Sequence, residues 1–469
     1  MIDSIVIVRF VILLAVSFAA FMAKLFGTDG IRGEAGVFPL DQGTVFKIGR
    51  SFAIQLAERL GRKPRFVIGR DTRESGPWIE QEFSRAAVSM GVEAMSAGVI
   101  TTPGVAFLAS EYGFDLGIVI SASHNPFQDN GIKAFLPTGR KIDDELERLI
   151  ESDLAKDATV PVETENIKID SSCETEFRRG YLDQLLRSTG EYSLAGRKIV
   201  IDCSNGAASG LAPHLFEELG ADVIAINDRP DGRNINKDCG SLHLNKLQAA
   251  VLKDQADMGV AFDGDADRAL FVDETGTIID GDAVLWIMAK SMQGRGELRS
   301  NKIVATVMSN IGLEIALSSR NIELVRTSVG DKYVLEELLR SNVEIGGEQS
   351  GHIIFPAVSL VGDGIMTALR LFEAVSLADT TLSGMTEGFR RYPQVLVNVK
   401  VGTKTPFDEV DSILKASAEV EKILSGNGRL LLRYSGTENL ARVMIEGRDQ
   451  GEIEVLANGL ADTIKSALN

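Results

Sequence analysis

The chain has only three cysteines, Cys173, Cys203 and Cys239. They are odd in number and widely spaced, so they make neither a metal-ligand pattern nor a disulfide framework, and a reducing compartment fits. Positive charge is also scarce: 49 Lys and Arg stand against 66 Asp and Glu, a formal net charge of −17. An acidic surface repels phosphate backbones, which excludes general nucleic-acid binding but leaves room for a small anion in a local cationic pocket. Two catalytic signatures are missing. No G-x-x-x-x-G-K-[ST] loop and no G-x-S-x-G elbow occurs, so P-loop and α/β-hydrolase chemistry are set aside. Long apolar runs are absent too, apart from residues 5–22, IVIVRFVILLAVSFAAFM, broken only by Arg9 and Ser17. This run has the length of a signal peptide or a membrane anchor. Only the acidic Asp3 charges its N-terminal side, and Met22 followed by Ala23 and Lys24 offers a natural start. An over-long start is therefore expected, with an anchor as the alternative, and the expected location is cytoplasmic.

At 469 residues the chain exceeds one ordinary core, so several domains are expected. Three segments read as variants of one unit. They begin RFVIGRDTRESGPW at Arg65, RKIVIDCSNGAASG at Arg197 and NKIVATVMSNIGLE at Asn301. Each has a short β-branched apolar run, a polar turn, a helical stretch and a second apolar run. Runs such as FVIG, KIVID and KIVAT are apolar on successive residues, as strands buried on both faces are. Strand–helix–strand order predicts mixed, largely parallel sheets covered by helices. Polar linkers at Lys156–Asp170 and near Asp273–Asp282, and a change of pattern after Pro393, divide the chain. The expected parts are an N-terminal extension at 1–23, α/β domains at 24–168, 169–278 and 279–389, and a smaller α+β domain at 390–469.

Five stretches carry candidate chemistry. In VISASHNPFQDNGIK, from Val119, a buried strand runs into Ser123 and His124 with Lys133 ten residues on. Ligands bind at the carboxyl ends of strands in open α/β sheets. Asn125-Pro126 and Asn130-Gly131 read as turns. Adjacent Ser123 and His124 are not expected to bond side chain to side chain, and a plain polar loop with a serine cap is the competing reading. In DGDADR, Asp263, Asp265 and Asp267 alternate with small residues. Extended backbone would put all three carboxylates on one side, where a hard cation such as Mg²⁺ must neutralise them. Glu274 would complete an EF-hand, but Arg268 replaces its obligatory glycine and the flanks read as strands. A charged hairpin turn is the bland alternative. In GGEQSGH, Glu348, Ser350 and His352 suit sugar hydroxyls, although a lone histidine after glycine is more often structural. In RYSGTEN, Arg433, Ser435, Gly436 and Thr437 suit an anion nest, or else a strand-to-helix turn with an N-cap. In GTDGIRG, Arg32 is a further anion ligand.

Together FGTDGIRG, ISASHNPFQDNGIK, DGDADR, GGEQSGH and SGTE, spread from Lys24 to Leu468, resemble the α-D-phosphohexomutase superfamily. The resemblance implies four domains around one cleft. It implies that Ser123 carries a phosphoryl group and that Asp263, Asp265 and Asp267, with an oxygen of phosphorylated Ser123, bind one Mg²⁺. His124 and Lys133 would assist proton transfer, Lys133 as a base if nearby cations lower its pKa, and Arg32 and Arg268 would line the cleft. Glu348, Ser350 and His352 would recognise the sugar; Arg433, Ser435, Gly436 and Thr437 would hold its distal phosphate. The Gln349 form of the sugar loop and the FGTDGIRG opening favour an amino sugar, glucosamine 6-phosphate, isomerised through glucosamine 1,6-bisphosphate. A mannose or glucose phosphate, or a silent sugar-phosphate-binding protein, is the alternative. Partners are a small phosphosugar and no nucleic acid; a membrane enters only if 5–22 is an anchor, and the protein would be a monomer or homodimer. Tyr434 and Asn439 depart from the family's usual small residue or proline beside the phosphate loop.

Overall fold

A computed structural model describes residues 24–27, 29–156, 169–190, 192–435 and 438–468. The apolar run 5–22 and most of the expected linker at Lys156–Asp170 lie outside the described residues. Among the described residues, no helix is long and apolar enough to cross a membrane.

Four sheets follow one another. The first contains β1 (Phe26–Gly27), β2 (Gly30–Glu34), β3 (Arg65–Arg70), β4 (Glu93–Val99), β5 (Leu116–Ile120) and β6 (Asp129–Phe135). The second contains β7 (Lys198–Asp202), β8 (Asp222–Ile226), β9 (Met258–Phe262), β10 (Ala269–Asp273) and β11 (Ile278–Ile279). The third contains β12 (Lys302–Thr306), β13 (Glu323–Thr327), β14 (Gly346–Gly347) and β15 (Ile353–Ile354). The fourth, β16 (Gln394–Lys400), β17 (Arg429–Tyr434) and β18 (Leu440–Glu446), is wholly antiparallel in the order β16-β18-β17.

The first three sheets repeat one topology. β3 lies parallel to β4 and β5, and β5 folds back antiparallel onto β6. β7 does the same with β8 and β9, with β10 folding back. β12 repeats it with β13 and β14, with β15 folding back. Helices complete the crossovers that parallel strands require, and β5 (LGIVI) and β9 (MGVAF) are buried at every residue. In each unit the hairpin after the last parallel strand is therefore a loop at a strand's carboxyl end. These three hairpins carry Ser123, Asp263–Asp267 and Glu348–His352. One continuous apolar core runs under all three sheets, from Val67 to Met385, whereas the fourth sheet packs its own around Val443, Ile453 and Ile464. The chain thus forms the expected three related α/β units and a smaller C-terminal α+β unit.

One turn expectation is corrected. Asn130 and Gly131 lie within β6, opposite Gly33 and Arg32 of β2. Glycine is needed there for close strand approach: a Cβ at Gly131 would sit 2.5 Å from the Ser121 carbonyl oxygen. Asn130 donates from Nδ2 to Ser75 Oγ at 2.8 Å, a tertiary contact rather than a turn bond.

Candidate active site

The three hairpins meet. Ser123, 1% exposed, has φ 53, a left-handed conformation that costs an ordinary residue about 1–2 kcal/mol. Its Oγ donates to Asp263 Oδ2 at 2.6 Å, which joins the first sheet's hairpin to the second's. Its Oγ also lies 3.2 Å from His124 Nδ1, a contact the sequence argument discounted. The left-handed backbone at Ser123 turns the two adjacent side chains toward each other. Burial, then Arg268 and Arg32, lower the His124 pKa, which favours its neutral ring.

Asp263, Asp265 and Asp267 converge, each offering an oxygen within 4.8 Å of the others. The reason differs from the expected one. They do not alternate along a strand; they occupy the turn between β9 and β10, with Ala266 at φ 55. Glu274, the would-be twelfth EF-hand position, bonds Ser383 instead. Asp265 Oδ1 and Asp267 Oδ1 are buried without a hydrogen-bond partner. Burial and the two neighbouring carboxylates raise the Asp263 pKa well above the usual range. Hard oxygen donors, unfilled and mutually repelling, fit a divalent cation.

Lys133, on β6 and 1% exposed, reaches Asp265 at 2.8 Å, Asp29 at 3.1 Å and Asp267 at 3.4 Å. Burial opposes its charge, but Asp265, Asp29 and Asp267 outweigh burial and raise its pKa well above the ordinary amine value. The expected lowering by neighbouring cations is therefore corrected: acids surround this lysine. Arg32 pairs with Asp29, and Arg268 Nε lies 3.8 Å from Asp267.

The third hairpin approaches from the other side. Glu348 accepts from the Gly330 N–H at 3.1 Å and from Ser350 Oγ at 3.2 Å. His352 is buried, with Nδ1 3.8 Å from Asp267, and its Nε2 takes the Gly362 N–H at 3.2 Å. Gln349 faces Asp280 at 3.1 Å, the N-cap of the helix Gly281–Gly294, so its side chain braces that helix.

Arg433 and Ser435 lie at the end of β17 in the fourth unit, and Gly436 and Thr437 lie outside the described residues. Ser435 Oγ accepts from the Glu438 N–H at 3.3 Å, and Lys404 Nζ donates to the Ser435 carbonyl at 2.7 Å. Burial and Arg442 lower the Arg433 pKa. Among the described residues, no hydrogen bond or ion pair joins this loop to the acidic cluster. The unit is instead held to the third by Glu446, which accepts from Asn310, the Ile311 N–H and Arg429.

Several site residues escaped sequence reasoning. Lys141 bridges Asp29 and Asp331 at 2.6 Å each, tying the first unit to the third. Thr102 Oγ1 donates to Asp265 Oδ2 at 2.5 Å. Arg73 grips the serine loop from beneath. The GTDG stretch contained Asp29, and its acid before Arg32 was the one local signal; the other partners are distant in sequence.

Family models for phosphoglucomutase/phosphomannomutase match four consecutive stretches. These are alpha/beta/alpha domain I at 23–160, domain II at 179–276, domain III at 280–392 and the C-terminal domain at 396–463. The chain is 48% identical over 445 residues to the phosphoglucosamine mutase of Solibacter usitatus, covering 95% of this chain and 99% of that one. It is 46% identical to that of Caldicellulosiruptor bescii, covering 96% and 100%. Its fold matches a phosphoglucomutase/phosphomannomutase family protein from Burkholderia thailandensis, with TM-score 0.76 and 23% identity over 95% of this chain and 98% of that one. It also matches Aspergillus fumigatus N-acetylphosphoglucosamine mutase in complex with GlcNAc-6P and magnesium, with TM-score 0.63 and 19% identity over 97% and 99%. With all four family domains matched in order along it, the chain belongs to the phosphoglucomutase/phosphomannomutase family and is an isomerase of the α-D-phosphohexomutase superfamily.

Proposed function

We infer that the protein is a phosphoglucosamine mutase, interconverting glucosamine 6-phosphate and glucosamine 1-phosphate through glucosamine 1,6-bisphosphate. One observation carries the mechanism: Ser123 Oγ is held 2.6 Å from Asp263 at the edge of three converged carboxylates. The substrate follows the relatives, which are phosphoglucosamine mutases at 44–48% identity over nearly the whole chain. Gln349 lends it no support, since it points at Asp280.

Asp263, Asp265 and Asp267 would hold one Mg²⁺, with an oxygen of phosphorylated Ser123 as a further ligand. The ion, when bound, supplies charge neutralisation for the phosphoryl group. Phosphorylated Ser123 gives its phosphoryl group to the sugar 1-hydroxyl: the Oγ–P bond breaks, the P–O1 bond forms, and the proton of the hydroxyl ends on the departing Ser123 Oγ. The bisphosphate then reverses in the cleft. Ser123 takes back the 6-phosphoryl group, and a proton returns to the sugar oxygen. Lys133, an ammonium among carboxylates, stabilises negative charge in flight with Arg32 and Arg268. His124, with its lowered pKa, is placed to take and return a proton at Ser123 Oγ. Glu348 and Ser350 orient the hydroxyls, and His352 holds Asp267 and its own loop in place. Arg433 and Ser435, with Gly436 and Thr437, grip the distal phosphate.

The test is turnover on glucosamine 6-phosphate, glucose 6-phosphate and mannose 6-phosphate, with Mg²⁺ and a bisphosphate primer. Preference for the amino sugar, abolished in Ser123→Ala with the fold retained, is expected. Preference for a neutral sugar would displace the substrate, and undiminished turnover in Ser123→Ala would remove the phosphoserine.

A further inference from the structure

We propose that Arg73 and Asn236 are positioning residues for phosphoryl transfer, clamping the Ser123 loop from two units so that Oγ keeps one place in every phosphorylation state. The inference rests on the reading of Ser123 as the phosphate carrier. Both bond the serine loop through its main-chain carbonyls.

Arg73 follows β3 and its side chain is wholly buried. Its Nη2 donates to the carbonyl oxygens of Ser123 at 3.0 Å and Asn125 at 2.9 Å, and its Nη1 donates to that of Pro126. Its Nε donates to Asp71 at 2.9 Å. Asp71 also accepts Ser121 Oγ at 2.6 Å, and Ser121 Oγ accepts the Ser123 N–H at 2.9 Å. The amide and the carbonyl of Ser123 are therefore tied to one buried ion pair. Asn236, from the second unit, donates Nδ2 to the same Ser123 and Asn125 carbonyls at 2.8 and 3.0 Å. Gly264 closes the third side: a Cβ there would meet the Ser123 carbonyl oxygen at 2.6 Å and Asn236 Nδ2 at 3.0 Å.

The need for such a clamp follows from the chemistry. Ser123 is left-handed, a state that ordinary residues hold only when their surroundings over-determine it. Its Oγ passes between a neutral hydroxyl and a phosphate dianion beside three acids, so the force on the loop changes at every turnover. Serine has one side-chain torsion before Oγ; with the peptide planes on both sides held, only that torsion remains. A planar guanidinium can hold three carbonyls and a carboxylate together, whereas a lysine ammonium is a point charge without that fork. Misplacement of a reacting atom by about 1 Å costs about 100-fold in rate.

The experiment compares wild type, Arg73→Lys and Asn236→Ala. It measures the melting temperature, the KM, the kcat per serine able to take phosphate, and the rate of phosphoryl uptake by Ser123 from a hexose 1,6-bisphosphate. Counting competent serines removes any merely misfolded fraction. Both variants are expected to fold and keep KM, with kcat and uptake rate falling together, about 100-fold in Arg73→Lys and about tenfold in Asn236→Ala. Wild-type kcat per competent serine in either folded variant overturns the proposal, as does a raised KM with kcat unchanged. Should Arg73→Lys fail to fold, Asn236→Ala decides by the same criteria. A wild type that phosphorylates Ser123 but isomerises no hexose phosphate removes the mutase reading, and the uptake rates still test the clamp. A wild type whose Ser123 takes no phosphate sinks both.

Discussion

Asp263→Asn should stabilise the metal-free protein and remove its response to Mg²⁺. The three carboxylates offer oxygens within 4.8 Å of one another. At that spacing and an effective dielectric near 20, each like-charge pair costs about 3 kcal/mol. Asp263 feels both neighbours, and Arg268 and the Ser123 hydroxyl return part of the cost. Burial and those neighbours raise its folded pKa above the unfolded value, so the stability it contributes is full at low pH and is lost as pH rises through the folded pKa. At neutral pH, with Ser123 unphosphorylated and no metal, the wild type carries that penalty. Asparagine keeps the shape and can still bond Ser123 Oγ and the Arg268 N–H, now 2.6 and 3.1 Å away, without the charge. The net gain is about 2 kcal/mol, a rise of about 3 °C in the melting of the three-sheet body. Adding Mg²⁺ at a hundredfold excess over Kd stabilises the wild type by about 2.7 kcal/mol. The variant should gain little, so the order of stability inverts on adding metal. Thermal melts of dephosphorylated protein, with Mg²⁺ or a chelator, read this directly. A variant less stable than wild type in chelator, or one with the full Mg²⁺ response, would refute the account of the cluster.

Three other outcomes are expected. Glu446→Ala leaves the largely buried Arg429 guanidinium without its paired carboxylate and the Ile311 N–H without its acceptor, and takes one of two acceptors from Asn310 Nδ2, a loss of about 3–5 kcal/mol. Calorimetry should show the C-terminal unit melting first; one unshifted transition would contradict this. Asp282 is buried, and burial followed by Asp280 raises its pKa to about 7. Its folded pKa is raised, so wild-type stability should fall between about pH 4 and 7, by up to about 4 kcal/mol, and Asp282→Asn should flatten that fall in denaturant titrations. An unchanged pH profile would count against a charged Asp282 burdening the fold. Gly264→Ala drives a Cβ to 2.6 Å from the Ser123 carbonyl and should lower kcat about 100-fold with the fold intact; wild-type kcat would show that the two loops tolerate separation.

Local chemistry in the chain was enough to determine the three α/β units, because β-branched runs buried on both faces and the strand–helix–strand order are properties of neighbouring residues. The DGDADR stretch marked a cation site by its density of acids, but the turn between β9 and β10, with Ala266 left-handed, is what gathers them. Local chemistry was also enough for Ser123 to stand out, a hydroxyl at the carboxyl end of a buried strand. Tertiary structure decided the rest. Whether Asn130-Gly131 turns or pairs depended on β2, about a hundred residues earlier. Whether Lys133 is a base or an ammonium depended on Asp29, Asp265 and Asp267, which adjoin it only after the first two sheets assemble. Arg73, Thr102, Lys141 and Asn236 carry no local mark, because the site groups they hold are distant in sequence. Burial sets both the proton affinity of such groups and the strength of their hydrogen bonds, and burial is a property of the folded whole.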